Sequence, residues 1–188
     1  DWPGFSTDTL AAAGVDETER ALIRGVLDSY QYTNALALVV LSALLAHYEP
    51  RPADAVMPAG AAPKPLGARI PELPPMEALD PEVAALVSEL NTFGEDTEPQ
   101  LIASMYRHLA YWPSYLALVR TMLVPLQGQG QLDALTQSTR ALGHAHGAVL
   151  ARQLKPSAPP ETLQSALASC RLFVEHPIAR MTGICALI

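Results

Sequence analysis

Seventeen prolines are spread over 188 residues. Nearly all of them fall between stretches of helical period rather than inside them. Proline removes a backbone donor and clashes with the preceding turn, so this placement cuts the chain into helices and the turns that join them. Between the cuts, apolar residues recur every three to four positions and no strand-like alternation appears. The fold class is therefore expected to be all-α. Asp16-Glu17-Thr18-Glu19 has capping-box form and opens a helix through about Ser29. Tyr30-Gln31-Tyr32-Thr33-Asn34 reads as a break, with Asn34 as a candidate N-cap for an apolar helix that reaches His47. Asp80-Pro81 restarts helix with Val83, Leu86, Val87 and Leu90 on one face, ending near Gly94. Further helices are predicted at about 98–110, 113–126, 131–154, 161–175 and 178–187. Trp112-Pro113, Gly128-Gln129-Gly130, Pro156 to Pro160, and His176-Pro177 separate them.

Composition removes several classes of function. The formal net charge is −7 and no block of Lys or Arg occurs, so the clustered basic face that nucleic acid demands is missing. Cys170 and Cys185 are the only cysteines and lie far outside CxxC spacing, which argues against structural zinc and a thioredoxin-like redox pair. No phosphate-binding Gly-rich loop and no Gly-x-Ser-x-Gly elbow is present, which argues against nucleotide binding and against a serine hydrolase of the usual kind, and no cofactor is expected. The longest apolar run, Ala35 to Ala46, is too short by itself to span a bilayer and reads as a buried core helix. These features together predict a cytoplasmic protein with neither membrane nor nucleic acid as a partner.

A faint internal echo suggests two unequal half-repeats. Arg24 to Leu44 and Ser169 to Leu187 each run helix, aromatic, break and small-residue helix, with Asn34 aligned on Pro177. So long an offset points to a pseudo-twofold pair, not a solenoid. The organisation expected is a partial first helical repeat at 1–48, a Pro-rich linker at 49–79 and a second repeat at 80–188. The first half would lack counterparts of the helices at 81–154. Its uncovered apolar face predicts a homodimer.

Several side chains carry possible chemistry. Arg107 is suited to pair bidentately with a carboxylate, or to bridge Glu98 or another surface acid. His108 is expected as a solvated or capping histidine, pointing about 100° from Arg107 on a helix. Tyr106 and Trp112 read as packing residues whose polar tips find backbone partners, or as a pocket wall. His144 and His146 form an HxH pair, but positions two apart diverge on a helix and no acid or cysteine follows at ligand spacing, so no metal is expected.

Ser104-Met105-Tyr106-Arg107-His108-Leu109-Ala110, then Trp112-Pro113-Ser114-Tyr115-Leu116, resemble the start of the second repeat in the group I 2-haloacid dehalogenases, the DehI type. Ser29-Tyr30-Gln31-Tyr32-Thr33-Asn34-Ala35-Leu36 fills the place of that family's Phe-His-Tyr-Val-Asn-Pro motif. Ile70-Pro71 and Pro74-Pro75-Met76 match in position, so the resemblance runs from about residue 16 to the end. It implies an AhpD-like helical architecture with a pocket for a small carboxylic acid between the repeats. It also implies hydrolytic dehalogenation by an activated water, without metal or covalent intermediate. Asn34, Tyr32, Ser104, Met105, Tyr106, Arg107 and Trp112 would then contact the ligand. The family's catalytic Asp is replaced by Met105, and a thioether cannot take a proton from water. No catalytic residue is therefore assigned. The alternative expectation is a non-catalytic binding or assembly protein with an apolar pocket, because Met fills space and adapts to apolar ligands.

Overall fold

A computed structural model describes residues 4–49, 70–94, 101–155 and 162–188. They are all-helical, with no strand among them. Helix α1 (Thr7–Ala12) is capped by Ser6, and a tight turn at Gly14, φ 81°, leads into α2 (Glu17–Tyr48). The Asp16–Glu19 capping box opens α2 with both reciprocal hydrogen bonds, at 2.8 and 3.0 Å. After the segment at 70–75 and a short 3-10 turn at Met76–Ala78 come α3 (Pro81–Leu90), α4 (Ser104–Leu109), α5 (Pro113–Gly128) and α6 (Gln131–Ala151). The chain closes with α7 (Gln164–Phe173) and α8 (Ala179–Leu187), joined by a π-helical turn over Val174–Ile178.

Two expected breaks are not breaks. Helix α2 runs uninterrupted through Tyr30 to Asn34, so Asn34 is a helix-interior residue and caps nothing. That stretch contains neither Gly nor Pro, and its residues cost only a few tenths of a kcal/mol each relative to Ala. Thr33 turns its hydroxyl back onto the Ser29 carbonyl at 2.8 Å and stays within the helix. Pro177 likewise does not end its helix. It lies inside the π turn, where the widened ladder accommodates a residue without an N–H. Other boundaries shift. The helix expected from 98 begins at Ser104, and residues 98–100 lie outside the described residues, as do Glu98, most of the linker (50–69) and Pro156 to Pro160.

Because α2 is continuous, the apolar run at 35–46 belongs to a 32-residue helix that is long and apolar enough to cross a membrane by length and composition. The same helix sends Ile23, Val26, Leu27, Leu38, Ala43 and Leu45 into the protein interior. Leu36 and Val40, about half exposed, face out.

Helix α2 packs most extensively on α6, and α8 lies against both. The approach of α2 to α6 is set by Gly143 and Gly147, whose missing side chains leave room for Leu38, Ser42 and the backbone of Ala43. The main core joins the first half of α2 (Ile23, Val26, Leu27) to α3, α4, α5 and the end of α8 (Ile184, Cys185, Ile188). A second cluster joins Leu38 and Leu45 to Leu167, Val174 and Ile178. The main core thus draws on residues from both 1–48 and 80–188.

Candidate functional site

Of the residues singled out from the sequence, Ser104, Arg107 and His108 meet Tyr30 at the junction of α2 and α4, where they are spent on the protein itself. Met105 is 1% exposed within the main core. Tyr106 is fully buried; its hydroxyl finds no partner among the described residues, and burial pushes its phenol well above the ordinary range. Trp112 closes the turn before α5 and is also buried. Asn34 and Tyr32 are half-buried inside α2.

Among the described residues Arg107 reaches no anion. Its Nε and Nη2 both donate to the Pro74 carbonyl, at 2.9 and 2.7 Å. His108 is neither solvated nor a cap, being 4% exposed. Its Nε2 lies 3.0 Å from the Pro71 carbonyl, which can only accept, so Nε2 carries the proton. Nδ1 is then left with a lone pair, which receives the Tyr30 hydroxyl at 2.6 Å. Ser104 bonds the same phenol, and burial pushes Tyr30 up to about 12 against the opposing pull of Ser104 and Arg107. Tyr111 completes the contact by donating to the Glu72 carbonyl at 2.9 Å. Arg107 and His108 point apart, as expected of helix neighbours, yet both grip one extended segment at carbonyls three residues apart. Three residues is the repeat of a polyproline helix, and Pro75 at its end has φ −68° and ψ 150°. The linker's last residues are thereby strapped across α4.

A base aligned on a phenol and oriented by a carbonyl has the form of a proton-transfer pair. Here the phenol holds its proton tightly and the strap covers the imidazole. The arrangement works as a latch between α2, α4 and residues 70–75. The burial that disfavours imidazolium, together with nearby Arg107, lowers the His108 pKa from its ordinary 6.5, outweighing the Pro71 bond. The unfolded chain therefore binds more protons than the folded one just below pH 6.5, so stability is present above that pH and is lost as pH falls through the folded value. Urea midpoints should drop as pH is lowered from 7 toward 5, and His108→Gln should flatten that part of the profile. An unchanged slope in His108→Gln would assign the loss to other groups.

The remaining candidates are separate from this junction. His144 Nε2 faces the Glu175 carboxylate at 3.1 Å, with Arg140 on the carboxylate's other oxygen at 3.5 Å. No group of three metal-ligating side chains occurs among the described residues. Cys185 is buried with its thiol toward the Leu27 carbonyl, and burial raises its pKa to about 12; Cys170 is half-buried in the second cluster. A groove of about 350 Å³ lies elsewhere, between α1 and the first half of α2. Phe5, Leu10, Ile23, Leu27 and Tyr115 form its apolar wall, and none of the residues at the α2–α4 junction lines it.

Sequence reasoning missed Arg180. It is 1% exposed near the start of α8 and donates to the Asn91 carbonyl at 2.6 Å, at the C-terminal end of α3. A lone Arg in a run of small apolar residues was the available signal. No family model matches the chain, and neither a curated protein nor a solved structure matches it.

Proposed function

We propose that the chain is a non-catalytic helical binding protein, built on a DehI-type scaffold of two unequal, pseudo-twofold-related half-repeats. The observation that carries this reading is the environment of Met105. Where the family resemblance calls for a water-activating carboxylate, a thioether is packed at 1% exposure among core side chains. Its neighbour Arg107, the nearest anion-binding group, is committed to the Pro74 carbonyl. A carboxylate at position 105 would be buried in the main core and would need polar partners there. The groove beside α1 supplies the apolar pocket instead.

The competing reading, hydrolytic dehalogenation of a small 2-halo acid, draws on the Tyr30, Ser104 and His108 cluster one turn from Met105. Chloride release from 2-chloropropionate separates the two. The expected result is no release above buffer, with Met105→Leu tolerated at a cost of under about 1.5 kcal/mol. Met105→Asp is expected to lose several kcal/mol of stability, because the buried carboxylate has no partner, and to gain no activity. Chloride release by the unmodified chain would overturn the binding-protein reading. Native mass spectrometry of the purified protein is expected to show a dimer carrying an apolar ligand.

A further inference from the structure

We propose that α4 reads polyproline backbone, and that residues 70–75 are the built-in occupant of a surface that takes a proline-rich segment of a partner protein. This surface is separate from the groove beside α1 and from any apolar ligand there. Ile70-Pro71-Glu72-Leu73-Pro74-Pro75 carries three prolines, two of them with PxxP spacing. Each proline fixes its own φ at about −65° and pushes the residue before it into extended backbone. Only Glu72 escapes both restrictions. A polyproline helix makes no internal hydrogen bonds, so its carbonyls are free to accept from outside. Arg107 meets the Pro74 carbonyl with two donors, and His108 meets the Pro71 carbonyl one polyproline turn away. Tyr111 donates to the Glu72 carbonyl between them. His108 and Tyr111 bring rings as well as donors, backed by Tyr30 at 5.6 Å and Trp112 at 6.0 Å between ring centroids. Aromatic side chains with fixed donors are the usual means of holding proline-rich ligands.

The hold is on conformation, not on this particular sequence. No side chain of residues 70–75 is buried, and Ile70 and Leu73 belong to neither apolar cluster. Met76 and Leu79, just beyond, do pack on the main core. The strap is thus anchored at its far end and held across α4 through its carbonyls. Any chain of the same conformation satisfies the three donors. The structure shows the chemistry of the occupant because one example is already seated. A second copy is the weaker source, since its own α4 already holds the strap it could offer. The strap is tethered and competes at an effective concentration on the order of mM, which closes the surface to weak single motifs. A partner with several PxxP motifs in series overcomes that competition by rebinding.

Fluorescence anisotropy of a labelled peptide with three copies of Ile-Pro-Glu-Leu-Pro-Pro tests this on the full chain. The Pro71→Gly/Pro74→Gly variant keeps every carbonyl but loses the strap's preorganisation. It should bind the peptide about tenfold more tightly than the native chain does. A peptide with alanine for every proline should bind that variant about tenfold more weakly. Adding Tyr111→Phe, which keeps the ring, or Arg107→Lys, which keeps the charge, should each weaken binding about fivefold. Circular dichroism checks that the variants keep their helices. Should the double variant lose helicity, titration of the native chain compares the proline and alanine peptides directly. No binding of the proline peptide to either chain, or equal binding of the alanine peptide, would overturn the polyproline assignment. Undiminished binding after both Tyr111→Phe and Arg107→Lys would overturn the location. Equal affinity of native chain and double variant would show that the strap does not occupy the surface. A mass in sedimentation twice that of the native chain, reversed by the peptide, would assign the surface to a second copy and overturn the partner.

Discussion

Gly147→Ala should be among the most damaging single-methyl additions this protein can receive, lowering the thermal midpoint by about 4–8 °C. A Cβ built on Gly147 would sit 2.5 Å from the Ser42 Cβ and 2.7 Å from both the Ser42 carbonyl carbon and the Ala43 nitrogen. Backbone atoms of α2 cannot swing aside as a side chain can, so the two longest helices would have to move apart. Separating them would thin the packing around Leu38 and Ala43, which are buried between neighbours. Overpacking a well-filled interior costs about 1–3 kcal/mol, and a backbone clash belongs at the upper end. For a chain of this size, each kcal/mol moves the midpoint by about 2–4 °C. Against that loss stands a gain of at most about 1 kcal/mol from replacing Gly by Ala in a helix. Gly143→Ala is the informative comparison. Its Cβ would meet only Leu38 side-chain atoms, the nearest at 2.5 Å. Leu38 can change rotamer, so the loss should be less than half as large. Gly128→Ala, with open space around it, should leave the midpoint unchanged or slightly raised. Equal midpoints for Gly147→Ala and Gly128→Ala would mean that α2 and α6 do not approach as closely as described.

The same glycines show which local signals in the sequence specify the packing and which do not. Gly143-His144-Ala145-His146-Gly147 carries two signals: an HxH pair, and two small residues four apart on one helical face. The second fixes how α2 meets α6, and the spacing was there to be seen. Local signals were generally faithful. The capping box at Asp16, the Asp80-Pro81 start and the Trp112-Pro113 turn each depend on residues within one turn of each other, and each appears as expected. The failures arose where local preference was weak or was overridden. Tyr30 to Asn34 carries aromatic, β-branched and Asn residues that read as a break, but with neither Gly nor Pro its penalty is small and α2, packed on α4 and α6, runs through it. Pro177 signals a break in any short window, but the π turn absorbs it within a well-packed helix. The candidate site was legible as a set of residues and illegible as a geometry. Ser104 to His108 did prove to cluster near Tyr30. What Arg107, His108 and the following Tyr111 bind, the Pro74, Pro71 and Glu72 carbonyls, is backbone more than 30 residues away, and no side-chain pattern announces it.

Arg180→Ala should cost about 3–5 kcal/mol, and its effect should reach α4 as well as α3. A buried guanidinium survives desolvation only when its donors are used. Its Nη1 takes the Asn91 carbonyl at the end of α3, where orphan carbonyls gather and the helix dipole favours a cation. Asn91 is also a hub. Its side-chain amide donates to the Leu101 carbonyl at 3.0 Å, and its side-chain oxygen accepts from the Ala103 amide at 2.9 Å, just before α4 begins. Gly94, at φ 71°, lies over the Arg180 stem, with Arg180 Cγ 3.4 Å from where a Cβ would stand. Removing the side chain therefore leaves a void beneath Gly94 and unpaired carbonyls around Asn91, and it frees the residues that start α4. Hydrogen exchange at the Ala103 amide should accelerate more than global destabilisation requires, whereas the α2–α6 contact should lose protection only in proportion to global stability. Arg180→Met separates packing from bonding. It restores most of the volume without a donor, so a variant about half as damaged would assign the remainder to the hydrogen bonds. Full stability in Arg180→Met would mean that the buried charge contributes nothing beyond its volume, a result known for buried ion pairs replaced by apolar residues.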